Sequence, residues 1–235
     1  IYLEAKFSLN EYEIEYVLNG GDNAPDNPLT FNIENDYLPL YNPSRAGFRF
    51  DGWFDSEGEQ YYQIDPSIGR NIRLIAKFTP IKYFIYYDYS GGLKVDNPES
   101  FTTSDTTVVL LPTSKVGYNF IGWHDGEKIV TELNQNQTTN VNLKAVFETV
   151  EYNINYNLLD GVFDGANPIS YNVESGSITL NNASKLGYTF EGWFNDYNEK
   201  VTVIKTGSVG NINLTARYKL IDYTITYILN GGSVE

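Results

Sequence analysis

The stretch GFRFDGWF at residues 47–54 reappears as GYNFIGWH at 117–124 and as GYTFEGWF at 187–194, each copy seventy residues after the last. A catalytic centre is needed once, whereas a structural unit can be stamped out in copies, so the repeat governs every other reading. Within the first copy, Phe48 and Phe50 share one face of a strand. Trp53 falls out of phase with them unless a bulge at Gly52 re-aims it. Burying a full aromatic side chain contributes roughly 1.5–3 kcal/mol, so a few rings decide whether so small a unit folds. The expectation is that these rings are core. The competing reading leaves Trp53, Trp123 and Trp193 exposed as aromatic contacts for a ligand, stacked against sugar rings. A carbohydrate site adds recurring polar groups that hydrogen-bond the sugar, and the copies do not share such a set.

Other blocks recur around this one. YEIEYVLNGG (12–21), YFIYYDYSGG (83–92), YNINYNLLDG (152–161) and YTITYILNGG (223–232) alternate apolar and polar residues, the period of a half-buried strand, and end in a glycine turn. An Asn-Pro step follows at 27–28, 97–98 and 167–168, marking a loop. Short strands are expected near 29–33 and 37–40 and at the matching positions of the later copies. NPSRAG (42–47), PTSKVG (112–117) and NASKLG (182–187) fit one helical turn closed by glycine. IDPSIGRN (64–71) offers a second such turn. A polar hairpin tip follows the aromatic strand, and IRLIAKF (72–78), VNLKAVF (141–147) and INLTARY (212–218) close each unit. YLEAKF (2–7) has the closing pattern of an earlier unit. The frame is therefore 1–11 as a closing strand of a preceding repeat, 12–82, 83–151 and 152–222 as three repeats, and 223–235 as an opening strand of a following one. Linkers of four residues without a Gly or Ser tract are expected to be stiff, and the array an extended rod.

Composition narrows the function. A hydrophobic content of 41% with 15% aromatic residues supplies packed cores, so the chain is not disordered. A net charge of −14 repels nucleic acid and anionic membrane surfaces. The absence of Cys removes disulfides, zinc thiolates and thiol catalysis, and with no Met either there is no readily oxidised sulfur, which suits an exposed location. No apolar run reaches membrane-spanning length, so no membrane insertion is expected in this segment. With no initiator Met, the segment is expected to be a window of a longer chain, and monomeric within it.

Few ionisable residues recur. A basic residue does (Arg45, Lys115, Lys185), at the end of the expected helical turn, where a cation meets the helix dipole. So does a Glu past the hairpin tip (Glu59, Glu127, Glu199). No carboxylate pair recurs at acid–base spacing, so no catalytic residue, cofactor site or metal site is expected. His124, the one histidine, replaces Phe54 and Phe194 and reads as a packing position. The acidic loop DNAPD (22–26) has no equally acidic counterpart, which makes it solvated loop before calcium site. Glycosylation sequons stand at Asn136, Asn182 and Asn213.

The ordered set YxIxY, NGG, NP, GYxFxGWF and LxAxF resembles the internalin B-repeat family, also called the Listeria–Bacteroides repeat, along essentially all 235 residues. YILNGG (227–232), GYTFEGWF (187–194) and LTARY (214–218) carry the resemblance most closely. It implies a small β-grasp-like module, mainly β with at most a short helical turn, in tandem on secreted or cell-surface bacterial proteins. The implied role is non-enzymatic: a stalk or spacer that projects a distal domain or aids adhesion. A multivalent binding module for a host protein or glycan is the alternative. The family includes members that contact glycosaminoglycans, a role that the acidity of this chain opposes. Catalysis, as a third reading, would have to reside elsewhere in the parent protein.

Overall fold

A computed structural model describes residues 1–134 and 137–233. The chain is nearly all β, and it is built as three tandem repeats of about 65 residues. It divides into two compact units: Ile1–Asp88, Val95–Leu111 and Trp123–Lys144 form one, and Tyr89–Lys94, Pro112–Gly122 and Ala145–Glu235 the other. The division falls inside the middle repeat.

In the first repeat an opening strand, Tyr12–Val17, pairs in parallel with the closing strand, Ile72–Pro80. The aromatic strand, Phe48–Phe54, lies antiparallel on the other side of the closing strand, with the hairpin strand Gln60–Tyr61 beyond it. Thr30–Phe31 borders the opening strand. The order second–opening–closing–aromatic–hairpin recurs in the sheets of all three repeats. A parallel pair requires a long crossover, and here the crossover carries the aromatic hairpin itself, so no helix is needed. Two-residue and three-residue strands pair outside the sheet, such as Leu38–Pro39 with Gln63–Ile64.

One face of each sheet is covered, and the sequence alternates accordingly. Along the closing strand Ile72, Leu74 and Ala76 are buried while Arg73 and Lys77 are exposed. The first core joins these to Ile14, Phe31, Trp53 and Ile64. The core of the third repeat is Ile154, Tyr171, Leu180, Ala183, Trp193, Ile204, Leu214 and Ala216. Trp53 faces Ala76 in register, and Trp193 faces Ala216. The small residue of the LxAxF block leaves room for the indole.

The expected bulge is present. The register of the aromatic strand shifts between Phe50 and Gly52, and between Phe190 and Gly192. Gly52 has φ 146° and Gly192 φ 140°, conformations that side chains rarely adopt. The extra residue returns Trp53 to the face of Phe50, and their rings meet edge-on at 5.5 Å.

The helical turn expected at 42–47, 112–117 and 182–187 does not form. Ser44 makes a β-bridge with Asp22, and Ala183–Ser184 pairs with Val162–Phe163. A tight turn follows, in which Phe48 N–H donates to the Arg45 carbonyl and Gly47 takes φ 77°. The Ser44 backbone is already committed to the bridge, which leaves only Arg45–Phe48 for the reversal. The one described helical turn is a 3₁₀ turn, Pro66–Ile68, within IDPSIGRN. Asp65 caps it by accepting from Ser67 N–H, and proline occupies its first position. Residues 2–7 and 223–232 carry strand patterns but form no strand among the described residues. A strand is held by its ladder partners, and neither segment pairs with one among the described residues.

Candidate functional site

The recurring residues converge on one hydrogen-bonded node per repeat, built on a buried indole. The side chain of Asn27 donates to the Tyr41 carbonyl at 3.0 Å and accepts from Tyr41 N–H at 2.7 Å. Trp53 Nε1 donates to the same carbonyl at 3.1 Å. In the middle repeat Asn97 and Trp123 hold Leu111 in the same way, and in the third Asn167 and Trp193 hold Asn181. The asparagine of the Asn-Pro step is therefore a plug for the backbone opposite the indole. Its partner proline also takes part: Tyr16, Tyr87 and Tyr156 donate their hydroxyls to the carbonyls of Pro28, Pro98 and Pro168. Each of these tyrosines packs on its indole, with ring centres 4.9–5.1 Å apart. Burial pushes the Tyr156 phenol up to about 12 and raises Tyr16 further.

Trp53, Trp123 and Trp193 are 1–2% exposed. With every N–H bonded inside and the rings covered, the three indoles have the geometry of core residues, and stacking on a ligand would require their release from the node.

The recurring cation is not a helix-dipole partner. Arg45, Lys115 and Lys185 lie over the rings of Phe48, Tyr118 and Tyr188 at 3.7, 4.1 and 5.0 Å. Lys185 also donates to the Leu159 carbonyl at 2.8 Å. The recurring Glu has no common place at the hairpin tips. Asp55 Oδ1 accepts from Glu59 N–H, Asn195 Oδ1 from Glu199 N–H, and Asp125 Oδ1 from Lys128 N–H. Lys128, not Glu127, closes the middle hairpin, because that tip is one residue shorter. The shared feature is the Asp or Asn that caps the tip. Its backbone bonds hold the Asp55 and Asp125 carboxyls below the usual range. His124 Nδ1 accepts from Gly126 N–H. Lys77 covers Phe54 and Arg217 covers Phe194, each at 3.9 Å, whereas the middle closing strand has Val146 at that position, so His124 replaces half of a ring–cation pair.

An asparagine that the sequence patterns did not single out precedes each closing strand. Asn71, Asn140 and Asn211 accept from the backbone N–H of Glu13, Phe84 and Asn153, tying the entry of the closing strand to the opening strand. Its signal was recurrence at a polar position with no chemistry attached.

Beside the bulge lies an open recess, of about 210 Å³ in the first repeat and about 230 Å³ in the third. Its floor is shared: Leu40, Phe50 and Trp53 correspond to Leu180, Phe190 and Trp193. Its polar wall is shared only at Asn42 and Asn182, since Asp51 and Gln60 correspond to Glu191 and Lys200. Among the described residues, no group of three or more His, Asp or Glu side chains is placed to hold a metal ion. Among them too, no helix is long and apolar enough to cross a membrane. The sequon at Asn136 lies outside the described residues.

A tandem β module whose recurring residues build a core node, not a reactive centre, defines the class. The chain belongs to the Listeria-Bacteroides repeat domain family, whose profile matches residues 12–77, 83–146 and 152–217. It is 27% identical over 237 residues to a protein of Evansella cellulosilytica named "Putative membrane protein", covering 96% of this chain and 34% of that protein. A second protein of the same organism, named "Putative Gly-rich membrane protein", is 25% identical over 245 residues, covering 99% of this chain and 27% of its own length. The chain thus spans between about a quarter and a third of the length of the curated relatives it matches.

Proposed function

We propose that this chain is a non-catalytic spacer segment of a bacterial surface protein, a stalk of the internalin B-repeat kind that holds another domain away from the envelope or aids adhesion. The observation that carries the reading is the fate of the recurring residues. Asn, Pro, Tyr, Gly-Trp and the basic residue are all engaged in contacts within their own repeat, so what is copied is a fold. The membrane-protein names of relatives roughly three to four times as long support a place at the cell surface. The modules are framed at 12–82, 83–151 and 152–222, with stiff joins, in an extended monomeric array. Small-angle scattering of chains with three, four and six repeats tests this. The maximum dimension is expected to grow by one constant increment per repeat. A radius of gyration that follows the cube-root scaling of a compact body would overturn the reading.

A multivalent contact with a host protein or glycan is favoured by one observation, the recess that recurs beside the bulge. Weak contacts repeated along the array would gain by avidity. Glycan and host-protein binding by one and by three repeats tests it, and equal, saturating signals would remove the multivalent form.

A further inference from the structure

The joins between repeats are built from a recurring pair of features. In the first unit, Gly47 ends the tight turn before the aromatic strand, and its carbonyl accepts from Ile81 N–H of the linker at 2.8 Å. A Cβ at Gly47 would collide with the side chain of Thr103, a residue of the next repeat, and Thr103 Oγ1 donates to the Gly47 carbonyl at 3.3 Å. In the second unit, Gly117 accepts from Val150 N–H at 2.9 Å, and a Cβ there would stand 2.7 Å from Val173 Cβ. Tyr118, next to that glycine, donates its hydroxyl to Glu174 at 2.8 Å. Both joins thus seat a β-branched residue, carried on the turn after the second strand, against a glycine 56 residues earlier. A β-branched side chain is stiff at χ1 and makes a defined knob, while glycine leaves the socket open.

The same halves stand at both ends of the series. Ile33 occupies the knob position of the first repeat and is 58% exposed. Gly187 occupies the socket position of the third, with φ 82° and its carbonyl bonded to Ile221 N–H. Among the described residues nothing lies within 4 Å of where its Cβ would be. Leu186 beside it is 99% exposed.

We propose that the Ile33 turn and the Gly187 turn are the two open halves of this joint, and that each docks a further copy of the same repeat. The occupant of the Gly187 socket is the knob of a following repeat, and the occupant of the Ile33 knob is the glycine turn of a preceding one. The contact is head to tail, with unlike surfaces meeting, so it can be repeated from one copy to the next. The inference stands on the two joints alone and would survive loss of the spacer reading.

Amide hydrogen exchange on the intact chain provides the test, because Ile81, Val150 and Ile221 donate the same bond in covered, covered and open joints. Ile221 is expected to exchange at least about tenfold faster than the other two. Fusing a second copy of residues 12–222 after Asp222 should bring Ile221 to the rate of Val150. The same fusion with Ile33→Asp in the added copy should leave it fast. Ile33 is on an exposed turn, so this variant folds, and unchanged protection of its own opening strand checks that. In the unfused chain, Val173→Asp should raise exchange at Val150 alone. If Ile221 is already as slow as Val150, or stays fast in the unmodified fusion, the proposal fails. It fails equally if the Ile33→Asp fusion protects Ile221 as well as the unmodified one.

Discussion

At the scale of single residues, the node explains why an asparagine precedes proline in every copy. Asn27 is 5% exposed and satisfies both backbone groups of Tyr41. Asn27→Ala leaves the Tyr41 N–H without its partner and the Tyr41 carbonyl with the Trp53 indole alone, at a cost of roughly 1–3 kcal/mol to the first repeat. Hydrogen exchange of Tyr12–Val17 and Ile72–Pro80 measures it, with the third repeat as internal control. The tyrosines over the indoles add a pH dependence. The folded Tyr156 phenol titrates at about 12, against about 10 unfolded, because burial disfavours the phenolate. Raised in the folded state, it contributes stability that is complete below about pH 10 and is lost as pH climbs toward about 12. Tyr16, Tyr61, Tyr171 and Tyr218 shift in the same direction. Denaturant midpoints should therefore fall steeply over this window. Tyr156→Phe should make the fall in the third repeat shallower, and an unchanged slope would refute the assignment.

At the scale of elements, what could be read in advance followed from periodicity. The opening, closing and aromatic strands announce themselves by alternation, and Gly52 announces its bulge because Trp53 would otherwise face water. The fate of 42–47 was not legible: a bridge between Ser44 and Asp22 is set by the opposing chain, which local capping patterns do not contain. The cation on the rings was hidden for the same reason, since Phe78 and Arg45 meet only once the sheet has formed. The second glycine of the NGG block is a related case. Gly161 lies where a Cβ would overlap the Tyr218 hydroxyl and approach the Ser184 carbonyl to 2.9 Å. Gly161→Ala must therefore displace the closing-strand ring or the bridge, at about 1–3 kcal/mol by overpacking. Gly176→Ala, in a turn with open space around it, should be neutral or slightly stabilising. Thermal unfolding followed by tryptophan fluorescence separates them, and equal effects would show that the NGG glycine has only a turn role.

At the scale of the whole molecule, charge decides which partners can approach. Sixteen Lys and Arg oppose thirty Asp and Glu, giving −14. The cations are further occupied: Arg45, Lys77, Lys115, Lys185 and Arg217 each lie over an aromatic ring of their own repeat. Arg49, Arg73 and Lys144 each stand within 4.0 Å of a carboxylate, of Asp51, Glu15 and Asp88 respectively. A polysulfated glycan needs several adjacent free cations, because its affinity comes largely from counterion release as its charges are neutralised. At a salt concentration of about 0.15 M, charges farther apart than about 8 Å are screened, so distant lysines cannot act as a patch. The chain should therefore pass a heparin matrix unretained at that salt concentration, and lowering the salt should strengthen repulsion instead of creating binding. Retention that weakens with added salt would reveal a local basic surface overriding the net charge.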